Sequence, residues 1–367
     1  MSRRRVLIVD DSVVIRRSLT DALSRDSHLE VVGSAPTGRV AMMKMAIVRP
    51  DIVALDVEMP EMSGLDTLTA IRQVYPELPV IMLSVPTDRG AAATLDALTL
   101  GARDYVTKPA DGTNSKDSLR VLSDELISKI QGCFPDASQD VLSGNSRKAV
   151  PTRKPSLADA GTSSTKRVDV LAIGASTGGP NALMELLPAL PADFPVPILI
   201  VQHMPAMFTR LLAQRLAAKC KVTVAEGISH QRLLPGAAWI APGDFHMAIT
   251  REGDDVRILT HRDPPENSCR PAADVLFRSV AQVYGSRTLA VVMTGMGQDG
   301  LRGCEQVHEA GGQVLVQDEA SSIVWGMPSF IVKAGIADRI LPIQELGAEI
   351  LNRAWRYRSV KHALVTG

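Results

Sequence analysis

The chain alternates short runs of consecutive apolar residues with segments of helical periodicity, and this alternation limits the fold more than any other feature. Such runs are typical of parallel strands that helices cover on both faces. In the first helical segment, Ile15, Leu19, Ala22 and Leu23 share one helix face. We therefore predict an α/β fold that begins with a doubly wound sheet of five parallel strands. The predicted strands are 6–9, 29–32, 52–55, 80–83 and 104–107.

A change of composition divides the chain into two domains. From about residue 135 to 166 the sequence is rich in Ser, Thr, Pro, Gly, Lys and Asp, which is typical of a linker. Strand patterns then resume, and they indicate a second, larger doubly wound α/β domain. We predict an N-terminal domain at 1–133, a linker at 134–167 and a C-terminal domain at 168–360. The later strands are 168–173, 197–201, 238–241, 256–259, 289–293 and 313–316.

Charge and aromatic content exclude several classes of protein. Forty basic residues balance forty acidic ones, and only 4% of residues are aromatic. This composition favours neither phosphate-backbone binding nor base stacking, so no nucleic-acid partner is predicted. Arg3, Arg4 and Arg5 precede an apolar run that is too short for a signal peptide, and no run approaches a membrane span. We expect a cytoplasmic protein with no direct membrane insertion.

The four cysteines, Cys133, Cys220, Cys269 and Cys304, lie far apart and form no CxxC pair. A structural zinc site or a cysteine nucleophile would need clustering that the sequence does not have. We interpret them as reduced thiols that mostly contribute to packing.

Polar residues end the strands of the first domain. Asp10 and Asp11 follow the first strand, Asp56 ends the third, Ser84 follows the fourth and Lys108 follows the fifth. Functional groups collect at the carboxyl ends of strands in open α/β sheets. If the strand order is 2-1-3-4-5, strands one and three are neighbours and the three carboxylates converge.

Three converging carboxylates need cations to coexist, and a divalent hard ion together with Lys108 would balance their charge. Mg²⁺ binds carboxylates together with phosphate oxygens. The pattern therefore predicts a magnesium site at Asp10, Asp11 and Asp56, with Asp56 as a phosphoryl acceptor and Ser84 and Lys108 as phosphoryl contacts. The alternative is that Asp11 belongs to a helix cap and Asp56 begins a polar loop.

Segments 6–11 and 56–60, Gly64 and the Lys108-Pro109 pair resemble a two-component receiver domain. The resemblance implies a flavodoxin-like fold, magnesium held by Asp10 and Asp11, and phosphoryl transfer to Asp56 from a histidine kinase. It also identifies Tyr105 as the switch aromatic residue. Ser84 stands where the family more often has threonine, so we expect the hydroxyl role to be kept.

The second domain begins with a candidate nucleophile turn. Residues 174–178 read Gly-Ala-Ser-Thr-Gly, follow the strand 168–173 and lead through Gly179-Pro180 into a helix. This matches G-x-S-x-G, in which glycines relieve crowding around an exposed serine and the helix N-terminus favours developing negative charge. A dinucleotide-binding loop is the alternative. It is disfavoured because Ser176 stands where the backbone must approach a pyrophosphate, and because the next strand ends in Gln202-His203 rather than an acid.

A serine nucleophile needs a base and an orienting carboxylate. His203 follows the strand 197–201, and Asp299 lies in the glycine-rich loop after the strand 289–293. All three residues are expected at one sheet edge, with the Met296 amide near the oxyanion. His246 is an alternative base that spacing alone does not exclude. The chain order Ser, His, Asp differs from the order in α/β-hydrolases, which indicates independent arrival at the same geometry.

Several segments of the second domain resemble the catalytic domain of the CheB family of chemotaxis protein-glutamate methylesterases. The resemblance implies Ser176 as nucleophile, His203 as base, Asp299 as orienting acid, and amides near Thr177 and Met296 as oxyanion donors, with no cofactor at this site. The segments are 172–180, 202–205, 234–236, 241–243, 270–271, 274–277 and 293–300.

The same resemblance implies a reaction and partners. The expected substrates are γ-glutamyl methyl esters of methylated chemoreceptors, hydrolysed through an acyl-serine, with deamidation of receptor glutamines by the same chemistry. The domain order suggests that the receiver docks on the esterase through roughly 600–1,500 Å² and that phosphorylation shifts this docking. The alternative is a response regulator whose second domain only binds a partner.

Overall fold

The computed structural model of the protein describes residues 3–109, 115–134 and 166–365, without side-chain detail at 116 and 356–365. Most of the predicted linker, 134–167, lies outside the described residues, so the domain boundaries stay predictions. No helix in the described ranges is long and apolar enough to cross a bilayer.

The N-terminal domain is a parallel five-stranded sheet in the order β2-β1-β3-β4-β5, as predicted. Buried apolar clusters lie on both faces of the sheet, which explains the uninterrupted apolar runs. The strands are β1 (Arg4–Val9), β2 (Leu29–Ala35), β3 (Ile52–Asp56), β4 (Val80–Ser84) and β5 (Asp104–Thr107). The helices are α1 (Val13–Leu23), α2 (Gly38–Val48), α3 (Gly64–Val74), α4 (Asp88–Thr99) and α5 (Lys116–Gly132).

Serine and threonine begin every helix of this domain. The side chains of Ser12, Thr37, Ser63, Thr87 and Ser115 each accept a hydrogen bond from a backbone N–H in the first helical turn. Such caps satisfy donors that the helix leaves unpaired and fix where each helix starts.

The C-terminal domain contains a parallel seven-stranded sheet in the order β14-β13-β12-β6-β7-β9-β8. The winding direction reverses at β6, which lies between β12 and β7. The sheet strands are β6 (Val170–Ala175), β7 (Ile198–Gln202), β8 (Thr223–Glu226), β9 (Ala237–Ile240), β12 (Thr288–Val292), β13 (Gln313–Gln317) and β14 (Arg339–Leu341), and β10 (His246–Glu252) with β11 (Asp255–His261) forms a separate antiparallel hairpin. The helices are α6 (Gly179–Leu186), α7 (Ala206–Lys219), α8 (Ala273–Tyr284), α9 (Leu301–Glu309), α10 (Met327–Lys333) and α11 (Ile343–Val365).

The structure adds three strands that the sequence pattern does not predict: β8, β10 and β14. Strands β8 and β14 are the short edge strands of the sheet and carry exposed residues, so they lack a continuous apolar run. Strand β10 begins at a buried histidine and ends in exposed charged residues. The predicted strand 256–259 is its partner β11 in the hairpin.

Candidate active site and acidic site

The turn between β6 and α6 places Ser176 at the point where the sheet reverses its winding. Ser176 N donates to Thr294 O at 3.0 Å, and Ser176 O accepts from Gly179 N at 2.8 Å and from Gln202 Nε2 at 2.9 Å. Gly178 has a φ of +78°, and a Cβ there would lie 2.6 Å from Ile323. The glycine is therefore required, and the serine lies where ligands bind in open α/β sheets.

Strand register places His203 beside Ser176. Ala175 pairs with Gln202, so the serine and the histidine are the next residues on neighbouring strands. His203 Nε2 lies 2.7 Å from Asp299 Oδ2, and its Nδ1 lies 3.5 Å from Cys269 Sγ. Within the described ranges, Ser176 Oγ makes no hydrogen bond. The structure therefore joins His203 to Asp299, while the bond from Ser176 to His203 stays a prediction.

Asp299 caps a helix that has no side-chain cap of its own. Its Oδ2 accepts from Ala273 N at 2.6 Å and its Oδ1 from Asp274 N at 3.1 Å, and both amides belong to the first turn of α8. Burial raises the pKa of Asp299, but the hydrogen bond and charge of His203 and these amides outweigh it and hold the pKa below its ordinary value. Asp299 is therefore ionised and oriented toward the imidazole.

The protonation of His203 follows from the same contacts. Burial lowers its pKa, but the hydrogen bonds to Asp299 and Cys269 outweigh burial and raise the pKa to about 10. The raised pKa means that this arrangement favours the protonated imidazole. A general base must be neutral, so the arrangement is not yet the one that accepts a proton from serine.

His246, the alternative base, has both ring nitrogens occupied by backbone groups. Its Nε2 lies 3.1 Å from Pro264 O, and its Nδ1 accepts from Ala272 N at 3.2 Å. The side chain is buried at the start of β10. Of the two histidines, only His203 contacts a carboxylate positioned for triad chemistry.

The two predicted oxyanion amides are available. Among the residues that the structure describes, the N–H groups of Thr177 and Met296 donate to no acceptor. The preceding Gly295 lies so close to the nucleophile that a Cβ on it would be 2.9 Å from Ser176 Cβ. Proximity and free donors support an oxyanion role, which stays a prediction.

The predicted acidic residues converge at the carboxyl end of the first sheet. Lys108 Nζ lies 2.8 Å from both Asp10 Oδ2 and Asp56 Oδ1. Asp11 joins them, with ligand atoms of the three acids within 4.8 Å of one another. Burial and the charge of Asp10 raise the pKa of Asp56 to about 7, against the lowering effect of Lys108. Asp56 Oδ2 is buried without a hydrogen-bond partner in the described part of the chain.

The predicted switch residues make their contacts outside the acidic cluster. Ser84 Oγ lies 2.7 Å from Thr94 Oγ1 in α4, and both side chains are fully buried. Tyr105 stacks on Phe208 of α7 in the second domain, with ring centroids 4.5 Å apart. Tyr105 therefore contacts the esterase domain directly, whereas Ser84 contacts α4 within the receiver.

Helix α4 makes the polar part of the domain contact. Its Leu98 O accepts from Asn181 Nδ2 in α6 at 2.8 Å. Its Ala92 O accepts from Arg215 of α7 at 2.7 Å, and the same guanidinium pairs with Asp96 at 2.8 Å. Helix α6 directly follows the nucleophile turn, so the receiver contacts an element of the active site.

Helix α5 reaches the candidate oxyanion loop. Ser128 Oγ lies 3.3 Å from Met296 Sδ, and Gly132 packs against Val324. The receiver thus lies against the loop that carries a predicted oxyanion amide. The domain order predicts docking of the receiver on the esterase domain, but the sequence does not indicate which helices form the contact.

The prediction that the cysteines mostly contribute to packing is incomplete for Cys269. All four are free thiols, but Cys269 contacts the ring of His203. Asn267, which donates to Asp299 Oδ1 at 3.0 Å, was missed entirely. The only signal was its closeness in sequence to the Arg270-Pro271 motif.

Both domains of the chain match known protein families. The CheB methylesterase family profile matches residues 171–350, and the response regulator receiver domain profile matches residues 6–120. A protein-glutamate methylesterase/protein-glutamine glutaminase of Trichodesmium erythraeum (strain IMS101) is 51% identical over 362 residues, covering 96% of this chain and 99% of that protein. The corresponding protein of Nocardioides sp. (strain ATCC BAA-499 / JS614) is 47% identical and covers 96% of each chain.

The CheB methylesterase catalytic domain of Thermotoga maritima superposes with a TM-score of 0.50 at 38% identity, covering 50% of this chain and 98% of that domain. These matches confirm the predicted family and fold class. With its receiver and esterase domains both matched, the chain belongs to the family of CheB protein-glutamate methylesterases/protein-glutamine glutaminases.

Proposed function

We propose that this protein hydrolyses γ-glutamyl methyl esters of methylated chemoreceptors, deamidates receptor glutamines by the same chemistry, and is regulated by phosphorylation of its receiver. The observation that carries the proposal is the buried His203–Asp299 pair beside the Ser176 turn at the reversal point of the sheet. The names of the relatives supply the substrate class.

In the proposed reaction Ser176 Oγ attacks the ester carbonyl and His203 takes its proton. The N–H groups of Thr177 and Met296 hold the oxyanion, each contributing about 3 kcal/mol to barrier lowering. Methanol leaves with a proton from His203, and a water activated by the same imidazole then cleaves the acyl-serine. Asp299 stays ionised throughout and stabilises the imidazolium.

His203 must lose one of its hydrogen-bond partners before it can act as the base in this reaction. With Nε2 held by Asp299, the ring nitrogen left for the serine proton is the one that contacts Cys269. We expect substrate binding or receiver release to separate the imidazole from the thiol. The loss of that hydrogen bond lowers the pKa of His203 toward the range that a general base requires.

The receiver residues fit a magnesium ion. Three carboxylates offer ligands within 4.8 Å, and Asp56 Oδ2 has no protein partner among the described residues, which suits a hard cation that favours oxygen ligands. Asp10, Asp11 and Asp56 would hold the ion, which neutralises phosphoryl charge when bound. Lys108 Nζ contacts the other oxygen of Asp56, Oδ1, and Asp56 would accept a phosphoryl group from a histidine kinase.

Regulation follows from the domain contact. Ser84 is bonded to α4, and α4 supplies the carbonyls of Ala92 and Leu98 that hold α7 and α6. Turning Ser84 toward a phosphoryl group on Asp56 breaks its bond to Thr94, which loosens α4 where the esterase domain is attached. The undocked esterase is then open to a receptor helix.

Methanol release from methylated receptor tests the proposal. Wild type is expected to release methanol, and Ser176→Ala is expected to release none while keeping the same circular dichroism spectrum. Cys220→Ala is a matched control, because this free thiol takes no part in the site. Absence of methanol from the wild type, phosphorylated or not, would leave only the partner-binding alternative.

A further inference from the structure

A tight turn at 266–269 lies directly over the His203–Asp299 pair. The backbone N–H and C=O groups of Glu266 and Cys269 pair with each other, and the two residues between them, Asn267 and Ser268, have φ values of +51° and +62°. Two central residues with positive φ characterise a type I′ turn, which favours asparagine. Glu266 also forms a bidentate ion pair with Arg278 of α8, which ties the turn to the helix that Asp299 caps.

The side chain of Asn267 joins two buried carboxylates. Its Nδ2 lies 3.0 Å from Asp299 Oδ1 and 2.9 Å from Asp274 Oδ2. Asp274 in turn accepts from Gly303 N at 2.7 Å, in the first turn of α9. Asp299 directly precedes α9 but caps α8, whereas Asp274 lies in the first turn of α8 but caps α9. Each acid therefore caps the helix that lies next to the other acid in the chain.

Two buried carboxylates close together repel each other. The pKa of Asp274 is raised to about 6, mainly by burial and also by the charge of Asp299. The Asn267 amide offers one N–H to each acid and carries no charge, so it allows both to stay ionised without competing with His203 for a proton.

We infer that Asn267 is a positioning residue for catalysis, which fixes Asp299 and thereby the ring of His203. This inference rests on the proposed esterase function. The turn at 266–269 has a second role as well, because it places Cys269 against Nδ1 of His203. The ionisable groups around the His203–Asp299 pair are Cys269, Asp274, Cys304, Glu266 and Arg278.

The test replaces Asn267 by aspartate, which keeps the shape but puts a third carboxylate against the two acids. The added negative charge favours the imidazolium, so the acid limb of kcat/KM for methanol release moves up by about one pH unit. At neutral pH kcat falls about 10- to 100-fold because the pair is misaligned. A positioning role predicts that KM changes less than kcat, because Asn267 acts through Asp299 and His203.

Ser268→Asp is the matched control, because it adds the same charge in the same turn at an exposed side chain with the same left-handed φ. Aspartate tolerates that conformation. The inference requires a shift in Asn267→Asp that Ser268→Asp lacks. Equal shifts in both variants, or no shift in either, would overturn it.

A second measurement separates this inference from the proposed function. ¹⁵N chemical shifts of the His203 imidazole in the full chain report its protonation without any substrate. Asn267→Asp is expected to raise the titration midpoint relative to wild type and Ser268→Asp, whereas an unchanged midpoint contradicts the inference even if methanol is released.

If Asn267→Asp does not fold, Asn267→Gly keeps the turn and is expected to lower kcat without changing KM. Unchanged kcat in Asn267→Gly would then reject the positioning role.

Discussion

Replacing Arg215 by alanine should loosen the receiver from the esterase domain. The guanidinium is the donor to Ala92 O and the partner of Asp96, and its side chain is 27% exposed. A hydrogen bond from a charged donor contributes about 1.5–3 kcal/mol and an exposed ion pair about 0–1 kcal/mol. Because Asp96 is 55% exposed, we count mainly the hydrogen bond and discount it for solvent. The expected loss of docking free energy is about 1–2 kcal/mol, or about a 5- to 30-fold shift toward the undocked form.

The assay is methanol release from methylated receptor by the full-length, unphosphorylated chain. Activity should rise by up to about that factor, with the rate of the phosphorylated wild type as its ceiling. Arg210→Ala is the control, because this arginine lies on the same helix and also faces the receiver, but it pairs with an Asp88 that is 71% exposed. We expect a change below about threefold for the control. If both variants had the same activity as wild type while phosphorylation still activated the enzyme, the contact would not be inhibitory.

Three further predictions concern ionisation, the turn and the acceptor. The pKa of His203 is raised from 6.5 to about 10, so the stabilisation by the protonated imidazole is complete below pH 6.5 and is lost as pH rises through about 10. The difference in unfolding free energy between wild type and His203→Asn, measured in urea, should therefore shrink over that range. A constant difference would refute the raised pKa. Gly178→Ala combines a positive φ with a clash against Ile323 and should lower the unfolding free energy by more than about 1 kcal/mol. Gly253→Ala, which has a positive φ but open space around it, should lower the unfolding free energy by less. Equal urea midpoints of the two variants would contradict the steric argument. Radiolabel from a small phosphodonor should appear on wild type with Mg²⁺ but not on Asp56→Asn or after chelation, and equal labelling of the variant would place the acceptor elsewhere.

The sequence predicted the first sheet almost completely because its strands are buried on both faces and end in chemically distinctive residues. In the second sheet the same reasoning found β6, β7, β9, β12 and β13, which are all flanked by other strands. It missed β8 and β14 because an edge strand is paired on one side only and needs no continuous apolar run. Whether a strand could be predicted from the sequence therefore depended on its burial rather than on the strand propensity of its residues.

The site residues were predictable for a different reason. Ser176, His203 and Asp299 all follow strands of one parallel sheet, so topology alone brings them to one edge. The contacts that tune them come from the turn at 266–269, which follows a hairpin outside the sheet and has no register to predict its position. Asn267 and Cys269 could not be assigned from spacing because their placement depends on the ion pair between Glu266 and Arg278.

The protonation of the base is the property furthest from the sequence. A Ser-His-Asp pattern predicts a neutral imidazole that faces serine, yet here Asp299 and Cys269 occupy both ring nitrogens of His203. Both contacts raise the pKa of His203, so this arrangement favours the protonated ring over the neutral ring that a general base requires. The receiver lies against α6 and the Met296 loop. We therefore expect low activity in this arrangement to have two causes, a receiver that covers the substrate path and an imidazole that favours its protonated form.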